Sequence, residues 1–148
     1  MNKKNVYDKI VFEINCRISK IQKALDNQKE NLIVESKSTA GDKHNTSRAM
    51  MHIEIDKLSQ QLSKLIQINK LIQSVKPEKC NDKIQLGSLV ETNFGYLYII
   101  APLGNISFKG KKIMVISLAS PIGKALQDKT QREFITLYGN RWEIKKIT

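Results

Sequence analysis

Apolar residues recur at helical spacing through most of the first half of the chain, and this periodicity restricts the possible fold more than any other feature. A first stripe repeats every three or four residues through Ile10, Ile14, Ile18, Ile21 and Leu25. A second stripe has a heptad-like pattern through Met51, Ile55, Leu58, Leu62, Leu65 and Ile72. Such spacing places the side chains on one face of a helix. Since no proline precedes Pro77, the sequence predicts two long amphipathic helices.

The segment between the two stripes, residues 31–45, is mostly polar, and from Glu35 onward it lacks large apolar residues. Small and polar residues favour a turn. The simplest arrangement is an antiparallel coiled-coil hairpin with a polar tip near residues 35–48. A helix of roughly 30 residues would be about 45 Å long at about 1.5 Å per residue. Asn69 occupies one position of the second stripe, where it either fixes the helix register or reaches solvent.

The pattern changes after Pro77, because proline disfavours continuation of a helix. We expect a hairpin domain at residues 1–76, a linker at 77–83 and a small α+β domain at 84–148. Strands are predicted at residues 85–90, 94–101 and 113–118, and a β-hairpin at 134–138 and 141–147 turns at Gly139 and Asn140. A short helix should follow Ser120, which can cap it, with Pro121 at its first position.

The chain is basic, with 25 Lys and Arg residues against 14 Asp and Glu residues and a formal net charge of +11. This balance suits an anionic partner without choosing between nucleic acid and an acidic protein surface. No apolar run approaches the roughly 20 residues that cross a bilayer. No apolar segment follows the basic N-terminus, so we expect a cytoplasmic protein without a membrane partner. We also expect no small-molecule substrate. Cys16 and Cys80 are far apart and predict buried or idle thiols rather than a disulfide or zinc site.

Several short motifs in this chain match one protein family. The segment 116–126 contains Ser120-Pro121-Ile122-Gly123, residues 86–90 read Leu-Gly-Ser-Leu-Val, and residues 142–147 read Trp-Glu-Ile-Lys-Lys-Ile. Residues 41–45 read Gly-Asp-Lys-His-Asn. In this order the motifs resemble those of the bacterial GreA/GreB transcript-cleavage factors, whose tip carries Gly-Asp-x-x-Glu. The resemblance extends over essentially the whole chain.

The resemblance implies an N-terminal coiled-coil hairpin, an FKBP-like C-terminal domain and RNA polymerase as the partner. The C-terminal domain would dock on the rim of the secondary channel, with Ser120 and Pro121 in the docking loop. The hairpin would then reach toward the active site. There the tip residues Asp42 and Asn45 would assist catalysis by the polymerase, with Asp42 as a ligand of a shared Mg²⁺ ion. The chain would carry no cofactor of its own and would not itself be an enzyme.

The tip departs from the family pattern at Asn45, where relatives have a second acid. An amide oxygen carries no charge, so it would bind a metal more weakly than a carboxylate does. The basic residues Lys37, Lys43 and Arg48 also outnumber the two acids between residues 31 and 50. They could contact RNA or DNA phosphate or polymerase acids. We therefore expect an elongation factor that modulates cleavage of backtracked transcripts and stimulates it weakly or not at all.

Other interpretations of the same residues remain open. Asp42 and Asn45 could cap a helix, the three basic tip residues could simply be solvated, and Ser120 with Pro121 could serve only to start a helix. Two further functions compete with polymerase binding. The net charge favours a direct nucleic-acid-binding module, and an FKBP-like fold suggests a prolyl isomerase, although the C-terminal aromatic residues are expected mainly in the core.

Overall fold

In this computed structural model, residues 1–37 and 41–148 are described, with the backbone alone for residues 41–44. The chain begins with two long helices, α1 (Lys3–Ser36) and α2 (Gly41–Gln73). Neither contains a proline, and the one glycine among their residues is Gly41 at the start of α2. Because at most four residues separate them, the two helices run antiparallel as a hairpin. The α+β class and the helical hairpin predicted from the sequence are confirmed.

Residues 14–67 form one compact unit, made of the distal parts of both helices. Leu25 and Leu58 are buried, with 4% and 7% of their surfaces exposed. The other members of the second stripe in this unit are half-buried, namely Met51, Ile55, Leu62 and Leu65. Burial therefore follows the alternating spacing of three and four residues, as a coiled-coil seam requires.

The helices extend further toward the tip than the sequence suggested. The polar composition of residues 31–45 predicted a turn there, but α1 continues to Ser36 and α2 begins at Gly41. Polar residues such as Asn31 and Asn45 are acceptable on the solvent-facing side of a helix whose apolar stripe is packed, so tertiary packing overrides their weak local preference.

Residues 1–13 and 68–148 form the second compact unit. Within it, a six-stranded sheet has the order β3-β4-β2-β1-β6-β5. Its strands are β1 (Leu89–Thr92), β2 (Gly95–Ile99), β3 (Gly104–Phe108), β4 (Lys111–Ile116), β5 (Phe134–Leu137) and β6 (Asn140–Ile147). Strands β2 and β4 are parallel, and the other neighbouring pairs are antiparallel. A short helix, α3 (Pro121–Leu126), follows β4 at the predicted place.

One face of the sheet supplies the main apolar core of this unit. Its buried residues are Ile84, Val90, Leu97, Ile99, Leu126, Ile135 and Ile144. Apolar side chains from α3 and its preceding loop pack against this cluster, among them Leu118, Ile122 and Ala125. The core therefore fixes the position of α3 and of the loop that precedes it.

The ends of both long helices are also tied into this unit. Val6, Ile10 and Ile72 are fully buried, and the Tyr7 hydroxyl donates a hydrogen bond to the Ile72 carbonyl at 2.9 Å. Lys3 is buried and its Nζ donates to the Lys79 carbonyl at 2.6 Å. Burial lowers the pKa of this lysine.

Asn69 lies in the same unit and is half-buried at its position in the stripe. Its Oδ1 accepts a hydrogen bond from Gln73 Nε2 at 3.4 Å. The polar group is therefore accommodated by a neighbour one turn further along α2.

Several strand boundaries differ from the predicted ones: β2 ends at Ile99 instead of residue 101, and β4 covers Lys111–Ile116 instead of 113–118. Residues 85–88 form a turn, in which the Ser88 amide donates to the Gln85 carbonyl and Gly87 has a φ of +90°, so β1 begins only at Leu89. Strand β3 was not predicted, because only Ile106 among its five residues is buried. It is an edge strand and carries little apolar periodicity.

The turn between β5 and β6 is shifted by one residue from the predicted position. Leu137 pairs with Asn140, so the two central residues are Tyr138 and Gly139, with φ of 52° and 74°. Positive φ at both positions is typical of a type I′ turn. The β3–β4 turn at Lys109 and Gly110 has the same character, with φ of 49° and 74°. Within the described residues, no helix is both long enough and apolar enough to cross a membrane.

Candidate functional site

The hairpin tip contains a polar pair that the sequence did not predict. Arg48 Nη2 donates a hydrogen bond of 2.6 Å to Asn45 Oδ1, and the two residues are three positions apart on α2. Residues at this spacing are neighbours on a helix surface. Asn45 is exposed and Arg48 is half-buried, and the hydrogen bond between them is exposed to solvent. The positively charged guanidinium group is therefore hydrogen-bonded to the side-chain oxygen at position 45.

The remaining predicted tip residues divide into two groups. Lys37 is exposed at the end of α1, where its backbone amide donates to the Val34 carbonyl. The side chains of Asp42 and Lys43 lie outside the described residues, so their predicted roles stay predictions. Asn45 is inside α2, four residues after its start at Gly41, so the alternative that Asn45 caps this helix is wrong. For Asp42, in the first turn, that alternative stays a prediction.

The described tip side chains do not fit a magnesium site. Mg²⁺ prefers carboxylate oxygens and water at close to octahedral geometry. The Asn45 oxygen is instead bonded to a guanidinium group, whose charge repels a cation. Among the described residues, no group of three His, Cys, Asp or Glu side chains could hold a metal ion. Cys16 and Cys80 are exposed free thiols, so the alternative that they are buried is wrong.

A second predicted element, Ser120 with Pro121, forms the start of α3. Ser120 has extended backbone angles (φ −66°, ψ 157°), and its Oγ accepts a hydrogen bond from the Gly123 amide at 3.0 Å. The same hydroxyl donates to the Ser117 carbonyl at 2.8 Å. Pro121 follows in the first turn, where no amide donor is needed. The serine therefore caps the helix and also ties it to the end of β4.

Gly123 shows why this motif requires a glycine. A Cβ atom at this position would lie 2.3 Å from the Ser117 carbonyl oxygen and 2.7 Å from that of Leu118. The backbone of α3 thus crosses the preceding loop at a distance that no side chain permits. Ile122 is anchored on the core, whereas Ala119 and Pro121 are exposed. The motif builds a rigid loop that presents Ala119 and Pro121 to the surface.

The same sheet carries an apolar depression that the sequence did not predict. Phe94, Leu97, Met114 and Trp142 line it, beside the β1–β2 turn. The C-terminal aromatic residues were expected mainly in the core, yet Phe94 is 54% exposed and Trp142 is only partly buried. The position of Phe94 directly after Asn93, a turn-forming residue, was the signal that could have placed it on the surface.

The pKa values of Tyr98 and Glu133 differ from the ordinary values because of the local surroundings of each group. Burial raises the pKa of Tyr98, whose hydroxyl has no hydrogen-bond partner among the described residues. The Glu133 carboxylate accepts hydrogen bonds from the backbone amide and the hydroxyl of Thr130, which lower its pKa. Glu133 is on the connection before β5 and therefore stabilises that turn rather than a site of chemistry.

Comparisons with known proteins give similarity to solved structures only. No family model matches the chain, and neither does any curated protein. Among solved structures, that of the transcription factor Gfh1 is similar over 99% of this chain and 94% of that chain, at 18% identity and a TM-score of 0.35. Two structures related by so low a TM-score superpose only loosely, and the match carries no argument about function.

Proposed function

We propose that this chain is a bacterial transcription elongation factor that binds RNA polymerase at its secondary channel. The C-terminal sheet unit docks on the channel rim through the loop containing Ser120 and Pro121, and the hairpin tip enters the channel. There the chain modulates cleavage of backtracked transcripts and stimulates it weakly or not at all. It acts as an accessory factor, and the polymerase performs the chemistry.

The observation that carries this proposal is the helical hairpin with its polar tip. Helices of 34 and 33 residues pair along a heptad stripe, and each would be about 50 Å long at about 1.5 Å per residue. The described side chains at residues 35–37 and 45–48 are all polar, and Lys37 and Asn45 are among the exposed ones. A narrow two-helix element of this kind suits entry into a channel better than it suits enclosing a substrate.

The α3 loop supports the docking part of the proposal. Each of the four motif residues has its own structural role. Ser120 caps α3 and Pro121 lies in its first turn, whereas Ile122 packs against the core. Gly123 allows the backbone of α3 to pass close to the preceding loop. A loop held this rigidly loses little conformational entropy when it binds. The exposed Pro121 is the member of the motif available to contact a partner.

The Asn45–Arg48 pair supports weak cleavage stimulation. Two-metal phosphodiester hydrolysis depends on anionic oxygen ligands that hold and activate the metal-bound water. In this tip, the amide oxygen at position 45 is already occupied by a guanidinium group. Asn45 therefore supplies no anionic ligand for such a metal. The positive charge of Arg48 instead suits contact with RNA phosphate or with polymerase carboxylates.

The test is a transcript-cleavage assay on purified, backtracked elongation complexes. We expect the native chain to bind the complex and to add little to its intrinsic cleavage. Asn45→Glu combined with Arg48→Ala should increase cleavage, because it restores a carboxylate and removes the competing cation. Asp42→Ala in that double variant should abolish the increase. The proposal fails if the native chain does not bind polymerase, or if the double variant binds and leaves cleavage unchanged.

A direct nucleic-acid-binding function is the second candidate, and one feature of the sheet favours it. The β3–β4 turn places Lys109, Lys111 and Lys112 within four residues at one end of the sheet. Binding of free RNA or DNA through such a cluster should weaken steeply as salt increases. A gel-shift titration without polymerase at two salt concentrations separates this function from polymerase binding.

A further inference from the structure

The apolar depression on the C-terminal sheet has the dimensions of a binding site for one side chain. We call this depression, which is walled by Phe94, Leu97, Met114 and Trp142, the aromatic depression. The volume of the cavity is about 180 Å³. The Phe94 and Trp142 ring centroids are 4.6 Å apart, with the planes tilted by 46°. An apolar cavity of about 150 Å³ binds benzene. The aromatic depression therefore has room for a leucine, isoleucine or phenylalanine side chain.

A buried donor in its wall lacks an acceptor. Trp142 Nε1 is buried and has no hydrogen-bond partner among the described residues. Buried polar groups in native proteins are nearly always paired, and each exception calls for an explanation. The indole N–H can only donate, so the missing group is an acceptor oxygen. A bound polypeptide would supply one from its backbone carbonyl or from a carboxylate.

The charge around the aromatic depression selects an acidic partner. Among the residues that line the aromatic depression, Lys112 is the one that carries a charge, and none is acidic. Residues 79–148 carry 11 Lys and Arg against 5 Asp and Glu. An acidic segment would gain from this field on approach, whereas a basic segment would be repelled.

The aromatic depression continues toward the loop that precedes α3. A second shallow depression, lined by Ser117 and Ser120 at its other end, shares Asn105 and Met114 with it. The two together follow β4 from the β1–β2 turn to the start of α3. A partner that contacts the Ser120 loop can therefore also reach Trp142.

We propose that the aromatic depression receives an apolar side chain from an acidic polypeptide segment of the polymerase. A carbonyl or carboxylate oxygen of that segment accepts the hydrogen bond from Trp142 Nε1, and Lys112 pairs with its acids. Because Nε1 is covered, a neighbouring side chain must move to admit the acceptor. Phe94 is more than half exposed and can do so at least cost. The proposal rests on the proposed polymerase binding and names the chemistry of the segment that is bound.

The test measures affinity for purified RNA polymerase core enzyme by fluorescence anisotropy of the chain, labelled at Cys16 after Cys80→Ser has removed the other exposed thiol. Trp142→Phe keeps an aromatic wall and removes the donor, so affinity should fall about five- to tenfold, as expected for one hydrogen bond. Phe94→Ala removes apolar contact area, and we expect a loss of about tenfold. Lys112→Glu should weaken binding most at low salt.

Two matched controls lie away from the aromatic depression. Tyr138→Asn removes an exposed aromatic side chain at the β5–β6 turn, and Lys83→Glu makes the same charge change before β1; both should bind like the native chain. Far-UV circular dichroism checks the fold of every variant, and Lys112→Glu changes an exposed side chain whose loss cannot open the core.

The outcomes separate this inference from the proposed function. If the native chain binds polymerase and all three variants bind equally well, the aromatic depression is not the contact, while polymerase binding stands. If the native chain does not bind polymerase, both proposals fail. If the same variants instead lose affinity for free RNA, the aromatic pair stacks on bases and the acidic-polypeptide partner is wrong.

Discussion

Replacement of Gly123 by alanine tests the tightest contact in the candidate docking loop. The added Cβ would lie 2.3 Å and 2.7 Å from two carbonyl oxygens and 2.9 Å from the Leu118 carbonyl carbon. All three are backbone atoms, which cannot move aside as a flexible side chain can, so α3 must shift. Forcing extra atoms into a packed site costs about 1–3 kcal/mol. Losing the Ser120 cap as the helix shifts adds about 1 kcal/mol.

The better helix propensity of alanine opposes these costs by about 1 kcal/mol. The net expectation is a loss of about 1–3 kcal/mol in the free energy of unfolding. Urea denaturation followed by the fluorescence of Trp142, the one tryptophan in the chain, measures it in this unit. Lys124→Ala, an exposed change in the same helix, is the control and should stay within about 0.5 kcal/mol. Equal or greater stability of Gly123→Ala would refute the close-crossing argument.

Three further predictions concern the hairpin, a carboxylate and a turn. Leu58→Ala should destabilise the hairpin by about 2–5 kcal/mol, measured by loss of helical circular dichroism on heating, whereas the exposed Gln60→Ala should not. Hydrogen bonds from Thr130 lower the pKa of Glu133, so they stabilise the fold above the ordinary pKa of 4.5, and this stabilisation is lost as the pH falls through the folded pKa. The difference in Tm between the native chain and Glu133→Gln should therefore become smaller on acidification. A Tm difference that stays constant with pH would contradict this. Tyr138→Asn should raise stability by about 0.5–1 kcal/mol in the same urea assay, since asparagine tolerates the φ of 52° better, and a loss of stability would exclude a strained tyrosine.

The helical hairpin could be predicted because its periodicity is long and regular. Two stripes that each extend over more than two turns leave few alternatives, and Leu25 and Leu58 are buried where the pattern placed them. The ends of the two helices were harder to predict, since the polar residues near the tip have no strong preference for helix or turn. Packing of the stripe continues α1 to Ser36.

The sheet was predicted less completely, for reasons of packing. Strand β3 lies at an edge and buries one residue, Ile106, so it has almost no period-two signal. The β5–β6 turn uses Tyr138 at positive φ, a conformation that an aromatic residue seldom adopts. Such a choice depends on strand register, which a single sequence does not specify.

The candidate site was likewise predicted in part. The Ser120–Pro121 helix start followed from local capping chemistry, and the structure has that cap. The bond between Arg48 and Asn45 depends on which rotamers the helix surface allows, and the exposure of Phe94 beside Trp142 depends on how β1 and β2 turn. These tertiary relations cannot be inferred from residue type and spacing.

Site-specific photocrosslinking tests the central claim, insertion of the hairpin tip into RNA polymerase, most directly. A photoreactive amino acid would replace Asn45 in one variant and Pro121 in another, and each would be irradiated in a backtracked elongation complex. We predict crosslinks from position 45 to the polymerase active-site region or the RNA 3′ end, and from position 121 to the rim of the secondary channel. Crosslinks from position 45 only to the outer surface of a bound polymerase would contradict the account.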